Sequence, residues 1–306
     1  MQHPSTYRNR RVVVIGLARS GVSVAKVFHA LGAETIASDV KPREQCPEAE
    51  ELAALGISVL CGGHPEGLVT PDTALVVKNP GIPYTSPPVR EAMELGLEIV
   101  TEVEVAWWLT DAPIIGITGS NGKTTTTTMI GRLLEAAGKK AIVAGNIGRP
   151  LTDAAREADA GSWLVAELSS FQLKGTADFR PRIAVLTNVA ETHLDYHGSM
   201  DDYTASKAKL FANQTEDDVA VVNWDDPECR RLASGAKAKF VPFAIRQRLG
   251  EGVFVDPPYP ASPEDDGLPR AIVRRSDGVT DIIIPVDELG VPGRHNAANA
   301  AAAVAA

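Results

Sequence analysis

The sequence predicts an α/β protein of two successive domains, each built on a largely parallel sheet. Three observations predict it. Short apolar runs alternate with helical patterns along most of the chain. Two of those runs feed glycine-rich turns that open helices, at residues 16–21 and 116–125. The chain has 306 residues, 44% of them hydrophobic and 23% charged, which is enough for two cores of ordinary size.

The first run, residues 12–15, reads Val-Val-Val-Ile without polar alternation and predicts a short buried strand. Gly16-Leu17-Ala18-Arg19-Ser20-Gly21 then turns the chain into a helix over residues 22–31, which Gly32 closes. A second strand at 34–38 ends at Asp39, and strands at 57–61 and 74–78 continue the alternation, with one more at 98–101. That order predicts a doubly wound parallel sheet. Residues 102–109 read as a helix and Thr110-Asp111-Ala112-Pro113 breaks it. A boundary near residue 105 is expected, giving domains 1–105 and 106–306.

The second domain opens with a strand at 114–118 and a helix at about 122–137, stopped by Gly138, with Met129, Ile130, Leu133, Leu134 and Ala137 on its apolar face. Strands at 140–143, 163–167, 183–188 and 219–223 follow with helical stretches between them. Residues 240–245, 271–275 and 279–284 predict a small antiparallel meander, the last two joined by Ser276-Asp277-Gly278. The Pro-rich acidic stretch 256–266 reads as a loop without function. An alanine-rich helix begins at His295-Asn296 and runs to Ala306 without a capping signal.

Residues 116–125 read Gly-Ile-Thr-Gly-Ser-Asn-Gly-Lys-Thr-Thr and have the chemistry of a phosphate-binding loop. Glycines at 119 and 122, with Ser120 and Asn121 between them, let backbone N–H groups converge on phosphate oxygens. Lys123 supplies positive charge to the outer phosphates, and the hydroxyls of Thr124 and Thr125 follow, the first placed to ligate Mg²⁺. A strict Walker pattern has glycine six positions before the lysine, where this chain has Ile117, so the loop marks a subclass. A plain glycine turn is the bland alternative, and Gly-Lys-Thr at a helix start argues against it.

Charge and cysteine content narrow the partners. Lys and Arg total 30 against 39 Asp and Glu, a formal charge of −9, which disfavours a broad nucleic-acid footprint or an anionic membrane surface. Cys46, Cys61 and Cys229 have no paired spacing, so neither a zinc ribbon nor a disulfide scaffold is indicated. The early apolar run stops at Gly16 and is too short for a signal segment or a membrane span. A cytoplasmic protein is expected, of unknown oligomeric state.

Glu167 and His193 each follow an apolar strand, at the sheet edge where ligands of open α/β sheets bind, and a carboxylate and an imidazole there can hold Mg²⁺ against a polyphosphate. Taken singly, the alternative for Glu167 is a carboxylate favoured at a helix start, and His193 is equally a hydrogen-bonded structural histidine. Gly16, Ser20 and Gly21 with Asp39 downstream imitate a dinucleotide fingerprint. Ala18 stands where the middle glycine belongs, which disfavours NAD.

Six motifs taken together carry a family resemblance. They are the phosphate loop, Gly145-Asn146-Ile147-Gly148, Glu167-Leu-Ser-Ser-Phe-Gln-Leu173, Asn188-Val-Ala-Glu-Thr-His-Leu-Asp195, Tyr203-Thr204-Ala205-Ser206-Lys207 and Gly293-Arg294-His295-Asn296. In that order they resemble the Mur ligases of peptidoglycan synthesis, over essentially the whole chain. Phe-Gln-Leu after Glu-Leu-Ser-Ser resembles the members that add D-glutamate to UDP-N-acetylmuramoyl-L-alanine. The resemblance implies a Rossmann-like UDP-binding domain followed by a central ATPase-type domain, with ATP and Mg²⁺ as cofactors. It implies Lys123 and Thr124 as phosphate and Mg²⁺ contacts, Glu167 and His193 as Mg²⁺ ligands, and Asn146 near the reacting centre. Lys207 matches a lysine that the family carbamylates to help hold a metal site, although a helical lysine is by default a solvated charge. Asn296 and Asn299 match the adenine and ribose region, or equally a cap and a surface polar group. Gly16, Arg19, Ser20, Asp39, Asn79 and Gly81 match the UDP contacts.

The resemblance also implies a third, carboxyl-terminal domain that brings the amino acid, so this chain is expected to be a substrate- and ATP-site fragment. Rival expectations are a folylpolyglutamate-synthase-like ligase, a nonenzymatic nucleotide or UDP-sugar binding module, and a nicotinamide oxidoreductase.

Overall fold

The computed structural model describes residues 3–192, 194–260, 262 and 267–306. Its contacts divide the chain into two compact units. The first holds Met1–Asp111, Gly148–Ala158 and Phe171–Phe179, and the second Ala112–Ile147, Asp159–Ser170 and Arg180–Ala306.

The early part of the chain runs β1 (Arg11–Ile15), α1 (Arg19–Ala30), β2 (Glu34–Asp39), α2 (Glu48–Ala54), β3 (Ser58–Cys61), β4 (Thr73–Lys78), α3 (Pro87–Glu94), β5 (Ile99–Val100) and α4 (Glu102–Leu109). The strands form a sheet of order β3-β2-β1-β4-β5 with every pairing parallel. The unbroken apolar run of β1 follows from burial on both faces. Val12 and Val14 pack with Val24, Phe28 and Trp108, while Val13 and Ile15 pack with Val76, Val89 and Ala92. Tyr7 stacks on Trp108 with ring centroids 6.2 Å apart and meets Phe28 edge-on at 5.5 Å.

The chain continues through β6 (Ile114–Thr118), α5 (Lys123–Ala136), β7 (Lys140–Gly145), α6 (Leu151–Glu157), β8 (Ser162–Glu167), α7 (Ser170–Lys174), β9 (Ile183–Leu186), α8 (Leu194–His197), α9 (Met200–Ala208), β10 (Val219–Asn223) and α10 (Pro227–Ala233). It ends with β11 (Lys239–Ala244), β12 (Gly252–Asp256), β13 (Ala271–Ser276), β14 (Val279–Pro285) and α11 (Arg294–Ala305).

Two buried carboxylates explain why residues 148–158 and 171–179 belong to the first unit. Glu102 accepts both the backbone N–H and the hydroxyl of Thr152, at the start of α6. Burial pushes its carboxyl up to about 7. Glu104 accepts the N–H groups of Ala177, Asp178 and Phe179. A carboxylate taken out of water persists when hydrogen bonds fill its lone pairs, and here the backbone supplies them.

The second unit carries a nine-stranded sheet of order β14-β13-β12-β11-β10-β9-β6-β8-β7. Two expectations are corrected here. Residues 240–245 do not begin an antiparallel meander: β11 pairs parallel to β10, reached by a crossover through α10, and the antiparallel part is β12-β13-β14. The strand β12 was not expected, although Val253-Phe254-Val255 between Gly252 and Asp256-Pro257 is a bounded apolar run. On α5, Leu133 is 48% exposed, and the buried side is Thr126, Thr127, Ile130 and Gly131. The helix turns Gly131 toward β7, where a Cβ would stand 2.8 Å from Val143. The alanines of α11 close the core against Ile115, Ile117 and Ile130. Part of the 256–266 loop lies outside the described residues.

Candidate functional site

In the second unit, β6 ends where the phosphate loop begins, and α5 starts at Lys123 with Gly122 as its N-terminal cap. The loop's glycines are required by close approach as well as by conformation. Gly119 and Gly122 have φ of 156° and 82°, and a Cβ on them would stand 1.9 Å from Thr187 Oγ1 and 2.1 Å from Asn299 Oδ1. The loop is braced from the end of β9: Ser120 N donates to Asn188 O at 2.9 Å, Asn121 N to Asn188 Oδ1 at 2.9 Å, and Thr187 Oγ1 to Asn121 O at 2.7 Å. Lys123 Nζ donates to Gly119 O and Ser120 O at 2.9 and 3.1 Å. Burial lowers its pKa, against the opposing pull of Glu167.

Glu167 lies at the end of β8, 2% exposed. Its Oε2 accepts the Thr124 hydroxyl at 2.7 Å, and its Oε1 accepts Asn146 Nδ2 at 2.9 Å. Asn146 N also donates to Glu167 O at 2.8 Å, and Gly145 permits the approach, since a Cβ there would stand 2.3 Å from that carbonyl. Two sequence-predicted residues, Thr124 on α5 and Asn146 just after β7, thus meet on the carboxylate of a third at the end of β8. The donor set fits Mg²⁺, which takes hard oxygen ligands and is commonly bound by one or two carboxylates together with phosphate oxygens. Among the described residues no three His, Cys, Asp or Glu side chains gather as a metal cluster. His193 lies outside the described residues.

Lys207 is not the solvated helical lysine of the default reading: it is 1% exposed. Its Nζ donates to Gly119 O at 2.9 Å and Thr118 Oγ1 at 3.4 Å, and sits 4.7 Å from the centre of the Tyr203 ring. Burial, reinforced by the charge of Lys123, brings its amine down to about 7. Tyr203, which sequence reasoning did not assign, links the loop to this lysine: its hydroxyl lies 2.8 Å from Ser120 Oγ. A second unassigned set is Ser170, His197 and Asp202, with Ser170 Oγ 3.0 Å from His197 Nε2 and His197 Nδ1 2.6 Å from Asp202 Oδ2. Ser170 and His197 are buried, so within the second unit this chain of bonds ties Ser170 to α8 and α9.

A cavity of about 380 Å³ borders the loop, lined by Asn121, Gly122, Asn188, Phe243, His295 and Asn299 among others. Asn299 Nδ2 donates to Asn296 Oδ1 at 3.2 Å, and Asn296 Nδ2 donates to Pro292 O at 2.7 Å.

In the first unit, the turn after β1 and the loop after β4 meet. Gly16 has a φ of 95°, and a Cβ on it would stand 2.8 Å from both Asn79 Cβ and Ile82 Cδ1. Gly21 lies so close to the turn that a Cβ would stand 1.9 Å from Gly16 O. Asn79 Nδ2 donates to Ser20 Oγ at 3.0 Å, and Gly81 N to Asn79 Oδ1 at 3.3 Å. Asp39 accepts Leu17 N at 2.8 Å and Lys41 N at 2.9 Å, which fixes the turns after β1 and β2 together. Arg19 Nη1 donates to Gly148 O at 3.2 Å. Strand order reverses between β1 and β4, the switch point at which open α/β sheets bind ligands.

Known proteins match both units. The family described as "Mur ligase middle domain" matches residues 117–306, and "Mur ligase MurD-like, N-terminal domain" matches residues 10–101. The chain is 48% identical over 305 residues to the UDP-N-acetylmuramoylalanine--D-glutamate ligase of Geobacillus sp. (strain WCH70), covering 100% of this chain and 64% of the relative. It is 46% identical over 306 residues to the enzyme of that name from Enterococcus faecalis (strain ATCC 700802 / V583), covering 99% and 63%. The chain therefore spans less than two thirds of the length of these relatives. In fold it is similar to the UDP-N-acetylmuramate:L-alanyl-gamma-D-glutamyl-meso-diaminopimelate ligase from Neisseria meningitides, with a TM-score of 0.60 at 20% identity, covering 97% of this chain and 92% of that one. Among the described residues no helix is long and apolar enough to cross a membrane. With one family description covering more than half of its residues, on the unit that holds the phosphate loop, Glu167 and Lys207, the chain belongs to the Mur ligases.

Proposed function

We propose that this chain supplies the UDP-substrate and ATP regions of a cytoplasmic ligase that joins D-glutamate to UDP-N-acetylmuramoyl-L-alanine in peptidoglycan precursor synthesis, with consumption of ATP. In this reading residues 1–105 form the UDP-substrate domain and 106–306 the central ATP domain. The observation that carries it is the meeting of Thr124 and Asn146 on the Glu167 carboxylate beside the phosphate loop. The names of the relatives support the choice of substrates.

Amide formation from a carboxylate needs a leaving group, because the carboxylate is a poor electrophile in water. The substrate carboxylate attacks the γ-phosphorus of ATP, ADP leaves, and an acyl phosphate results. The amine of D-glutamate then adds to the acyl carbon, and phosphate departs. The chain contributes placement and charge. Lys123, at the start of α5, offers its ammonium to the outer phosphates, and the loop N–H groups cradle them. Glu167 and the Thr124 hydroxyl would hold Mg²⁺, which when bound neutralises charge on the transferring phosphoryl group. Asn146 faces the same carboxylate and is placed to orient the substrate. Asn299 lines the cavity beside the loop and takes the nucleoside side.

Lys207 is assigned as a carbamate. The ammonium first gives up one proton; the neutral amine then attacks CO₂, an N–C bond forms and a second proton is released, so that the cation becomes an anion with two oxygens for the metal site. Burial and the neighbouring Lys123 both favour the neutral amine this step requires. The whole protein, assayed with both substrates and Mg·ATP, should release phosphate only when D-glutamate and UDP-N-acetylmuramoyl-L-alanine are both present. Equal turnover with L-glutamate, or turnover without the UDP substrate, would overturn the assignment.

A further inference from the structure

Lys78 ends β4 at the switch point of the first unit and is fully buried. Its ammonium turns under the loop that follows it and donates to the carbonyls of Asn79 at 3.3 Å, Pro80 at 3.3 Å and Ile82 at 2.9 Å. It also lies 4.7 Å from the centre of the Tyr84 ring. An ammonium has three N–H donors, and three carbonyls of one short loop meet them. The loop so held is the one that touches the turn after β1: Asn79 bonds Ser20 and abuts Gly16. Helix α1 starts at that turn with no side-chain cap on its first N–H groups, the arrangement that favours an anion.

Burying an ammonium is costly, and a loop-forming role alone is met more cheaply by neutral groups. Burial and the charge of Lys174 bring the Lys78 amine down to about 7. A bound anion at the start of α1 would favour the charged form. Arg19 and Asp39 also carry charge at these turns, with Lys41 beside Asp39.

We propose that Lys78 is a positioning residue for the diphosphate of a nucleoside diphosphate ligand, holding the 79–82 loop against the start of α1 and placing a buried positive charge behind it. The inference rests on the UDP-substrate reading above and assigns to a residue outside that contact set the recognition of the phosphates rather than of the base.

The test compares UDP with uridine on this chain, by ligand-detected NMR, for the wild type and for Lys78→Met and Lys78→Gln. Methionine removes charge and donors at similar size, and glutamine returns two donors without charge. UDP affinity should fall at least about tenfold in Lys78→Met and by less in Lys78→Gln. Uridine affinity, and Mg·ATP affinity at the other unit, should stay within about twofold of wild type. Equal losses for UDP and uridine, or unchanged UDP binding in a folded Lys78→Met, would overturn the proposal. So would failure of both variants to fold, which would make Lys78 a residue of the core only. A wild type that binds neither UDP nor uridine would instead sink the UDP-substrate reading itself.

Discussion

Glu167 Oε2 accepts the Thr124 hydroxyl at 2.7 Å, across a separation of 43 residues in sequence. The end of β8 is thereby tied to the first turn of α5, and the other oxygen of the same carboxylate holds Asn146. Replacing Glu167 with Gln keeps an acceptor for Thr124 and removes the charge. Mg²⁺-dependent ATP affinity should fall at least about tenfold, with the melting temperature within a few degrees of wild type. Calorimetry with and without Mg²⁺ reads this, and an unchanged Mg²⁺ dependence would remove Glu167 from the metal site.

Among the described residues Lys123 donates only to loop carbonyls of its own turn, so Lys123→Ala should leave the fold intact and abolish measurable ATP binding. Circular dichroism checks the fold and calorimetry the affinity. Near-normal ATP binding in the folded variant would count against the phosphate loop.

Gly122→Ala should be more damaging than its size suggests, because the new methyl meets Asn299 at a positive φ. Destabilisation of about 1–3 kcal/mol by urea titration is expected, with loss of ATP affinity. Wild-type stability in Gly122→Ala would show that α11 yields freely at this contact.

The buried Glu102 sets a pH dependence of stability. Its folded pKa is raised from 4.5 to about 7 by burial, so the folded chain binds more protons than the unfolded chain between those values. That contribution is present in full below about 4.5 and is lost as pH rises through 7. Relative to Glu102→Gln, the wild type should lose on the order of 3 kcal/mol between pH 4.5 and 7.5. Urea titrations across that range read it, and a pH-independent difference would contradict it.

Lys207 gives a spectroscopic prediction. Under ¹³C-labelled bicarbonate the wild type should show a carbamate carbon signal that Lys207→Ala lacks, and in the whole protein Lys207→Arg should lose most ligase activity. Full activity of the arginine variant would remove the carbamate from the mechanism.

What the sequence made legible was local. The run 12–15, the turn at Gly16 and the Gly-Lys-Thr at 122–124 each carry their meaning within a few residues, and they fold as read. The buried state of Lys207 was not legible, because Thr118 and Gly119, 89 and 88 residues earlier, reach it only in space, although Tyr203 shares its helix face by spacing. The same holds for Glu102 and Glu104, whose partners at 152 and 177–179 lie far along the chain. The meander reading failed at residues 240–245 because a short apolar run does not declare whether its neighbour is parallel, and the crossover through α10 decides it.

The most direct single test is calorimetric titration of this chain with UDP-N-acetylmuramoyl-L-alanine, with NAD as the control. Saturable binding of the UDP substrate at one site per chain, and none of NAD, is the predicted result. Binding of NAD, or no UDP-substrate binding by a folded chain that still binds Mg·ATP, would contradict it.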